Sequence, residues 1–395
     1  MKRIYLDHAA TTYLDPRVEK SMQPYWQKAF GNPSSIYEEG LDARKALEQA
    51  RQAIAEVFNC LPQEIIFTAG GTESDNLAIF GIYNSFKKNN PNVVPHFITS
   101  QIEHHAVLYP FESLEKNKLA EVTYLPVDEQ GLIDIDGLKK AIKENTILIS
   151  IMYANNEIGT IEPISEIAQT IKGANSARNN KIVFHTDACQ AAGALDLDVQ
   201  KLGIDLLTAN GSKIYGPKQI GILFKKKGIK IEPQILGGGQ EYNLRSGTEN
   251  VSSIVGLSVA LKLAQKNRDR ENKRLITLRD WFIATIIKEI PKAYLNGTVE
   301  KRLPNNINIS FDKIEGEALV LLLDHEGIAC GTGSACNSKS LEPSHVITAL
   351  GYPEERGHSS IRFTLGKKTT KQDLIYTLKY LKKHVAYLRS ISAIN

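Results

Sequence analysis

The two side chains best suited to covalent chemistry are a lysine and a cysteine in separate polar segments. Lys213 lies in the segment Asn210–Lys218, where an apolar strand pattern ends, and Cys336 lies in the small-residue segment Gly331–Ser338. A desolvated amine at a strand end can form an imine with a carbonyl group, and a thiolate is a strong nucleophile. Imine chemistry combined with a thiol nucleophile predicts an enzyme that moves sulfur.

Composition narrows the class of protein. The chain has 395 residues, is 42% hydrophobic and carries a net charge of +4, which is ordinary for a soluble enzyme and too slight to predict nucleic acid as a direct partner. We expect no membrane association, because no apolar run has spanning length, and the N-terminal residues do not form a signal-peptide pattern. The spacing of the cysteines matches no CxxC pair and no zinc-ligand pattern, so we predict a cytoplasmic protein with no metal site of its own.

Short β-branched runs alternate with helical segments from about residue 60 to residue 226. The strand candidates are Glu64–Phe67, His96–Thr99, Val122–Val127, Ile147–Ala154, Ile182–Thr186, Leu206–Ala209 and Gly221–Phe224. Helical periodicity over Thr72–Lys87 and Ile164–Ala177 predicts helices that cover the sheet. This alternation predicts an α/β fold with a mostly parallel sheet, whose reactive loops follow the carboxyl ends of the strands.

The rest of the chain predicts a second, smaller α+β unit. The charged amphipathic run Val251–Ile290 has the length of a helix that crosses between domains. After it, the strand patterns are Asn306–Ser310 and Ser360–Thr364, and the helical patterns are Glu315–Glu326 and Thr370–Leu388. We expect a large domain over residues 15–255 and a small domain formed by residues 1–14 and 256–395, with a cysteine loop at about residues 328–340.

Two further segments are candidates for binding a charged cofactor. Thr68–Ser74 follows a strand and opens a helix, which favours an anion site with Gly71 and Thr72, although an ordinary threonine-capped turn fits equally well. Asp187 ends a buried strand, where a carboxylate either caps the backbone or meets a cation such as a pyridinium nitrogen. Lys213 by itself could be a surface lysine. In this order along one chain, however, the three features indicate pyridoxal 5′-phosphate (PLP).

Nine segments together match a family pattern. They are Tyr5–Thr12, Gly31–Ser35, Phe67–Ser74, Glu103–Val107, Ala154–Gly159, Arg245–Asn250, Gly333–Cys336, Leu341–Val346 and Ser360–Phe363. With them the chain resembles, nearly end to end, the cysteine desulfurases of the class V aminotransferase group, and within these the class with a longer mobile cysteine loop. The resemblance implies a fold type I PLP-dependent homodimer with a mostly parallel seven-stranded sheet. It also implies conversion of L-cysteine to L-alanine, with sulfur transferred to an enzyme cysteine as a persulfide.

The resemblance also implies roles for individual residues around the cofactor ring. Lys213 would hold PLP and move the proton of the substrate Cα, and Asp187 would keep the ring nitrogen protonated. His104 would stack on the ring and take part in proton transfer, although a histidine there could instead be a packed core residue. Asn155 and Gln190 would hydrogen-bond to the phenolic oxygen of the ring.

Further roles follow for the phosphate, the substrate and the sulfur. The phosphate would be bound by Gly71, Thr72, Asn210 and Ser212, with Thr248 from the partner subunit. Arg362, assisted by Asn155, would bind the substrate carboxylate, and the alternative for this strand arginine is a surface salt bridge. Cys336 would carry the persulfide, at most sharing a transient cluster with a scaffold protein. We expect Cys189 and Cys330 to be buried, and a Cys330–Cys336 disulfide stays an alternative.

The chain departs from the family pattern at the phosphate site. Asn210 and Ser212 stand where family members usually carry a serine and a histidine, so we predict weaker retention of PLP. Tyr37 and the pair Tyr242–Asn243 also differ, which leaves acceptor recognition open. The expected acceptors are an iron–sulfur scaffold or a tRNA-thiolation relay. The alternatives are a selenocysteine lyase, another PLP-dependent lyase or transaminase with a structural Cys336, and a non-catalytic scaffold.

Overall fold

The computed structural model describes residues 3–333 and 343–392. The strands are β1 (Ile4–Tyr5), β2 (Ile65–Thr68), β3 (His96–Ser100), β4 (Glu121–Leu125), β5 (Thr146–Ser150), β6 (Val183–Asp187), β7 (Leu206–Asn210), β8 (Gly221–Lys225), β9 (Ala293–Leu295), β10 (Asn306–Phe311), β11 (Ile328–Ala329) and β12 (Ser360–Thr364). The helices are α1 (Pro16–Met22), α2 (Pro24–Gln27), α3 (Glu38–Phe58), α4 (Gly71–Asn89), α5 (His105–Lys116), α6 (Ile135–Ala141), α7 (Ile164–Asn175), α8 (Val199–Leu202), α9 (Gln240–Asn243), α10 (Val251–Glu289), α11 (Gly316–His325), α12 (His345–Ala349), α13 (Glu354–His358) and α14 (Lys371–Ile391).

A seven-stranded sheet forms the centre of the larger part of the fold. Its strand order is β2-β8-β7-β6-β5-β3-β4, and only β8 runs antiparallel to its neighbours. All seven predicted strands are present, and the predicted α/β architecture is confirmed. The predicted strand Ile147–Ala154 ends earlier, at Ser150, although Ile151 and Tyr153 still donate backbone hydrogen bonds to two carbonyls of β6. Most of these strands are buried and rich in apolar residues, as expected when helices cover both faces of such a sheet.

The smaller part of the fold is built around an antiparallel sheet of order β12-β10-β9 and a short parallel pair, β1 with β11. Its hydrophobic core joins Ile4 and Leu6 from the start of the chain to Ile307, Phe363 and side chains of α14. The 39-residue helix α10 packs on α3 and α1 with its first half and on α14 and β9 with its second half. The predicted crossing helix is therefore present, and it connects the two cores.

The short element α9, which lies before α10, is a strained turn and not a regular helix. Glu241, Tyr242 and Asn243 all have positive φ, a conformation that costs energy for residues other than glycine. The buried Glu241 carboxylate compensates by pairing with Arg51 at 2.7 Å and accepting the Phe67 backbone N–H. The turn is thereby fixed to β2 and α3. No helix in the part of the chain that the structure describes is long and apolar enough to cross a membrane.

Candidate active site

The largest group of predicted functional residues meets at one cavity of about 550 Å³. It lies beyond the carboxyl ends of β6 and β7 and beside the first turns of α4 and α5, where a sheet of this kind binds its ligands. Eight of the predicted residues line it: Gly71, Thr72, His104, Asp187, Gln190, Asn210, Lys213 and Arg362. The topology therefore brings together residues that are far apart in the sequence.

One end of the cavity is the start of α4. The first N–H groups of a helix have no partner within it, and together with the helix dipole they favour an anion. Glycine is required at position 71, since a Cβ there would lie 2.8 Å from Cys189 Sγ and 3.1 Å from Asn210 Nδ2. Ser212 lies next to this end, with its hydroxyl donating to Asn210 Oδ1 at 3.2 Å. This end has the shape and polarity of a phosphate site.

Asp187 ends β6 and faces the cavity with little of its surface exposed. Its Oδ1 accepts the backbone N–H of Cys189 at 2.8 Å, which fixes the carboxylate against the sheet. Burial and the neighbouring Asp187 raise the pKa of the Cys189 thiol, so this cysteine is held in its protonated form. A buried carboxylate that reaches a cavity is stabilised by a cation in that cavity.

A second carboxyl group, Asp75, lies one helical turn into α4 and also lines the cavity. It is almost fully buried, and its Oδ1 accepts no hydrogen bond from the described residues. Burial and the charge of Asp187 raise the pKa of Asp75 well above its usual value, against a hydrogen bond from Thr208. His185 Nε2 lies 3.6 Å from Asp75 Oδ1, and burial lowers the pKa of this histidine to about 3. Burial therefore favours the neutral form of both Asp75 and His185.

Lys213 lies in the loop between β7 and β8 and extends into the cavity. Its Nζ donates to the carbonyl oxygen of Ala10 at 2.6 Å. Thr12 fixes the loop, since its backbone N–H and hydroxyl donate to the Ser212 carbonyl and its Oγ1 accepts the Tyr215 N–H. The start of the chain thus positions the lysine, which the spacing around residue 213 alone did not indicate.

His104 and Gln190 lie on other walls of the cavity. His104 precedes α5, and its Nδ1 accepts the Ala106 backbone N–H at 3.1 Å, which leaves Nε2 as the protonated nitrogen of the neutral ring. Burial lowers the pKa of His104, so the neutral form is favoured. Gln190 Nε2 donates to the Ala9 carbonyl at 3.0 Å. In this state the His104 ring can present its Nε2–H to the cavity as a hydrogen-bond donor.

Arg362 closes the opposite end of the cavity. It lies on β12, and its two terminal nitrogens donate to Asp7 Oδ1 at 2.9 Å and to the Asn156 carbonyl at 3.1 Å. Its Nε is buried and makes no hydrogen bond to any described residue. Arg362 does form a salt bridge, with Asp7, but this salt bridge is not at the surface as the alternative expected, because only 3% of Arg362 is exposed. A buried guanidinium with a remaining donor is suited to binding a carboxylate.

The structure treats three other predicted residues differently. Asn155 lies beneath the cavity wall, where its carboxamide donates to the Ile102 carbonyl and accepts the N–H groups of Glu157 and Ile158. Its neighbour Asn156 lines the cavity instead, so contact of Asn155 with a ligand stays a prediction. Thr248 lies in a separate groove of the same chain. Cys336 lies outside the described residues.

Sequence reasoning missed Asp75, Glu157 and Ser344, all of which line the cavity. Glu157 accepts the Ser344 hydroxyl at 2.5 Å. Burial raises the pKa of Glu157 to about 7, and the Ser344 hydrogen bond and the Arg362 charge oppose the shift. The only signal for Asp75 was its position four residues after Gly71, which places it on the same side of α4. Nothing local in the sequence pairs residue 157 with residue 344.

Comparison with known proteins agrees with this geometry. Residues 4–376 match the family model "Aminotransferase class-V". The chain is 52% identical to the cysteine desulfurase IscS of Dictyoglomus turgidum over 99% of this chain and 97% of that protein. Among solved structures, it matches a NifS-like protein with a TM-score of 0.90 at 34% identity, covering 98% of this chain and 100% of that one.

Another solved structure is described as SspA in complex with cysteine. It matches with a TM-score of 0.78 at 35% identity, over 92% of this chain and 99% of that one. This chain has the mostly parallel seven-stranded sheet expected of a fold type I PLP enzyme. The chain belongs to the class V aminotransferase family and, within it, to the cysteine desulfurases.

Proposed function

We propose that this protein is a PLP-dependent cysteine desulfurase that converts L-cysteine to L-alanine and transfers the sulfur to Cys336. The observation that carries the proposal is the convergence of Lys213, Asp187 and Arg362 on one cavity that also begins at a helix N-terminus. A PLP enzyme that acts on amino acids requires these three groups: an amine, a carboxylate for the ring nitrogen and a guanidinium for the substrate carboxylate.

The residues present fit PLP. The lack of a side chain at Gly71 lets Cys189 and Asn210 pack closely against the start of α4. Thr72, Asn210 and Ser212 are the donors next to this helix start. Asp187 would face the ring nitrogen, His104 the ring, and Gln190 the phenolic oxygen. PLP, when bound, supplies an electron sink for the carbanion formed at the substrate Cα. Because Asn210 and Ser212 offer no cationic donor, we propose that PLP is held less tightly than in relatives with a histidine there.

The protein's own groups would then act in sequence. Arg362 binds and orients the substrate carboxylate, and the Lys213 amine removes the Cα proton. Cys336 Sγ, as the thiolate, forms an S–S bond to the substrate sulfur while the Cβ–S bond of the substrate breaks. The electron pair of that bond stays on the carbon fragment, which takes up protons to become alanine. The persulfide is then delivered to an acceptor, and we propose an iron–sulfur scaffold protein or a tRNA-thiolation relay.

The other three cysteines support Cys336 as the sulfur carrier. Burial raises the pKa of Cys60 to about 12 and raises the pKa values of Cys189 and Cys330 as well. The thiolate is the nucleophilic form, so these three are poorly suited to attack sulfur. Cys336 is the fourth of the four cysteines in the chain.

The direct experiment measures alanine and sulfide released from L-cysteine with a reductant. We expect PLP-coloured wild type and Cys336→Ala proteins, with turnover in the wild type and in the control Cys60→Ala only. Equal turnover in Cys336→Ala would make the protein a general PLP lyase. The protein would instead be a selenocysteine lyase if it released alanine faster from L-selenocysteine than from L-cysteine and did so without Cys336. A colourless protein that cannot be reconstituted would indicate a non-catalytic scaffold.

We also propose that the enzyme is a homodimer in which Thr248 completes the phosphate site of the partner subunit. Large apolar side chains are exposed within residues 26–41 and 235–242, which we propose as the contact with a second copy: Trp26, Phe30, Ile36, Tyr37, Leu41, Ile235, Leu236 and Tyr242. Mixing Lys213→Ala and Thr248→Ala subunits should restore activity, because a mixed dimer has one site with both residues intact. Activity equal to the sum of the separate variants would contradict a shared site.

The domain division is proposed on the cores. One hydrophobic cluster extends from Val18 to Leu303 around the large sheet, and another joins Ile4 and Leu6 to residues after 274. The two clusters support a large and a small domain, which we propose to divide as residues 15–255 and residues 1–14 with 256–395. The first cluster also includes Leu257, Ala260, Leu261, Ala264 and Leu303, so these residues of the proposed small domain pack on the large-domain core. The cavity lies where the two meet, with Asp187 from one and Arg362 from the other.

A further inference from the structure

Residues 333 and 344 lie on either side of the segment 334–342, which contains Cys336, and both contact one carboxyl group. The Ser344 hydroxyl donates to Glu157 Oε2 at 2.5 Å. A Cβ on Gly333 would collide with the same Glu157 oxygen and would lie 3.4 Å from Ser344 Cβ. Glu157 Oε2 therefore lies against Gly333 on one side and Ser344 on the other.

The backbone of Glu157 is held firmly. Its carbonyl accepts the side-chain amides of Asn306 at 2.9 Å and Asn308 at 3.1 Å, both from β10. Its N–H donates to Asn155 Oδ1 at 2.8 Å. Only 4% of Glu157 is exposed. The carboxyl group is therefore a fixed point, attached to the small sheet through β10 and to the loop after β5.

The contacts extend to the substrate end of the cavity. Gly331 and Arg362 exchange two backbone hydrogen bonds, of 3.1 and 2.7 Å, so the chain leading to Gly333 runs along β12. Ser344 also caps α12 by accepting the Ile347 N–H at 3.3 Å. Both ends of the segment are thus tied to elements that line the cavity, and Glu157 is the group that joins them.

We propose that Glu157 is a positioning residue for sulfur transfer: its carboxyl group holds Gly333 and Ser344 together, and so fixes two described residues that lie on either side of the Cys336 segment. The proposal rests on the proposed function, because it assumes that Cys336 receives the sulfur. Glu157 takes no part in binding PLP or in removing the Cα proton. Its loss therefore acts on the transfer of sulfur and leaves the earlier steps intact.

The test compares Glu157→Ala with Glu162→Ala in the holoenzyme. Glu162 is a matched control, because it is also a buried glutamate whose pKa burial raises, to about 8, and it lies outside the cavity. For Glu157→Ala we expect kcat for alanine formation to fall at least about tenfold, with the KM for L-cysteine and the PLP dissociation constant changed less than about threefold. Glu162→Ala should lose stability without this fall in kcat.

A second readout separates positioning from a general loss of structure. The rate at which iodoacetamide alkylates Cys336 should change by at least about threefold in Glu157→Ala, whereas that of Cys60 should not. Ser344→Ala, which removes one contact only, should show the same pattern with a smaller effect. Glu157→Gln keeps an acceptor for the Ser344 hydroxyl and should recover most of the activity.

Two results would overturn the proposal. One is a Glu157→Ala enzyme whose kcat and Cys336 alkylation match those of Glu162→Ala. The other is a rise in KM or in the PLP dissociation constant as large as the fall in kcat, which would place Glu157 in the binding site. Failure of the proposed function would look different, since Cys336→Ala would then remain as active as the wild type.

Discussion

The two ends of the cavity are built in different ways. The cofactor end takes Asp187 and Asn210 from the ends of adjacent strands of one sheet, with Asp75 from the helix that covers it. The substrate end gathers Arg362 and its partner Asp7 from distant parts of the chain, joined by side-chain hydrogen bonds. At the first end, backbone pairing fixes the spacing. At the second, isolated backbone bridges bring Asp7 and Gly331 alongside β12. Individual side-chain contacts then set the remaining distances, and each of these can be removed by one substitution.

This difference predicts distinct failures. Substitution of a charged group that faces PLP at the cofactor end should change the absorbance and chemistry of bound PLP, since the strands hold the remaining groups in place. Substitutions at the substrate end should leave the colour of the protein unchanged and alter KM or sulfur transfer.

The largest effect is expected for Asp187→Asn. The change keeps the shape and removes the negative charge that faces the cavity, so the ring nitrogen loses its partner. We expect alanine formation to fall at least about 100-fold, the scale of losing one preorganised electrostatic contact, with a changed absorbance spectrum. Single-turnover kinetics and absorbance would measure both.

Asp205→Asn is the control for that prediction. Asp205 lies just before β7, at the other end of the same strands, and accepts the Phe184 N–H at 3.1 Å. Its substitution should leave the absorbance of bound PLP unchanged. A normal spectrum and normal turnover in Asp187→Asn would show that the ring nitrogen does not depend on this carboxylate.

An intermediate effect is expected for Arg362→Lys. A lysine keeps the charge but loses the planar set of donors that now serves Asp7, the Asn156 carbonyl and the substrate carboxylate. A charged hydrogen bond is worth about 1.5–3 kcal/mol, so we expect the KM for L-cysteine to rise about 10- to 100-fold. PLP content should be unchanged, and a colourless Arg362→Lys protein would contradict the division between the two ends.

The same division explains how far the sequence could predict the site. The alternation of apolar strands and helices is local, so the seven strands and the chemistry at their carboxyl ends followed from it. The sequence pattern alone did not show that the Asn155 carboxamide oxygen accepts the backbone N–H groups of Glu157 and Ile158, because this depends on how the following residues fold back. The contact of Glu157 with Gly333 and Ser344 depends on tertiary packing, and no spacing in the sequence encodes it.

The smallest effect on chemistry is expected for Asp75→Asn. Asp75 is buried, and both burial and the charge of Asp187 raise its pKa, which favours the protonated acid. The amide of the variant would then replace an uncharged carboxylic acid of nearly the same shape. PLP binding and kcat should change less than about threefold. A shift toward the Asp187→Asn spectrum would mean that both carboxyl groups carry charge and share the ring nitrogen.

Stability provides a separate test of the same variant. The folded protein keeps a proton on Asp75 that the unfolded chain releases near the ordinary pKa of 3.8, so the wild type loses stability as the pH rises above that value. Asp75→Asn removes this dependence of stability on pH. The free energy of unfolding of the variant minus that of the wild type should therefore be larger at about pH 8 than at about pH 5. Urea unfolding at both pH values measures the difference. An equal difference at both would mean that Asp75 is ionised already at the lower pH, and the negative charge at the cofactor end would then not belong to Asp187 alone.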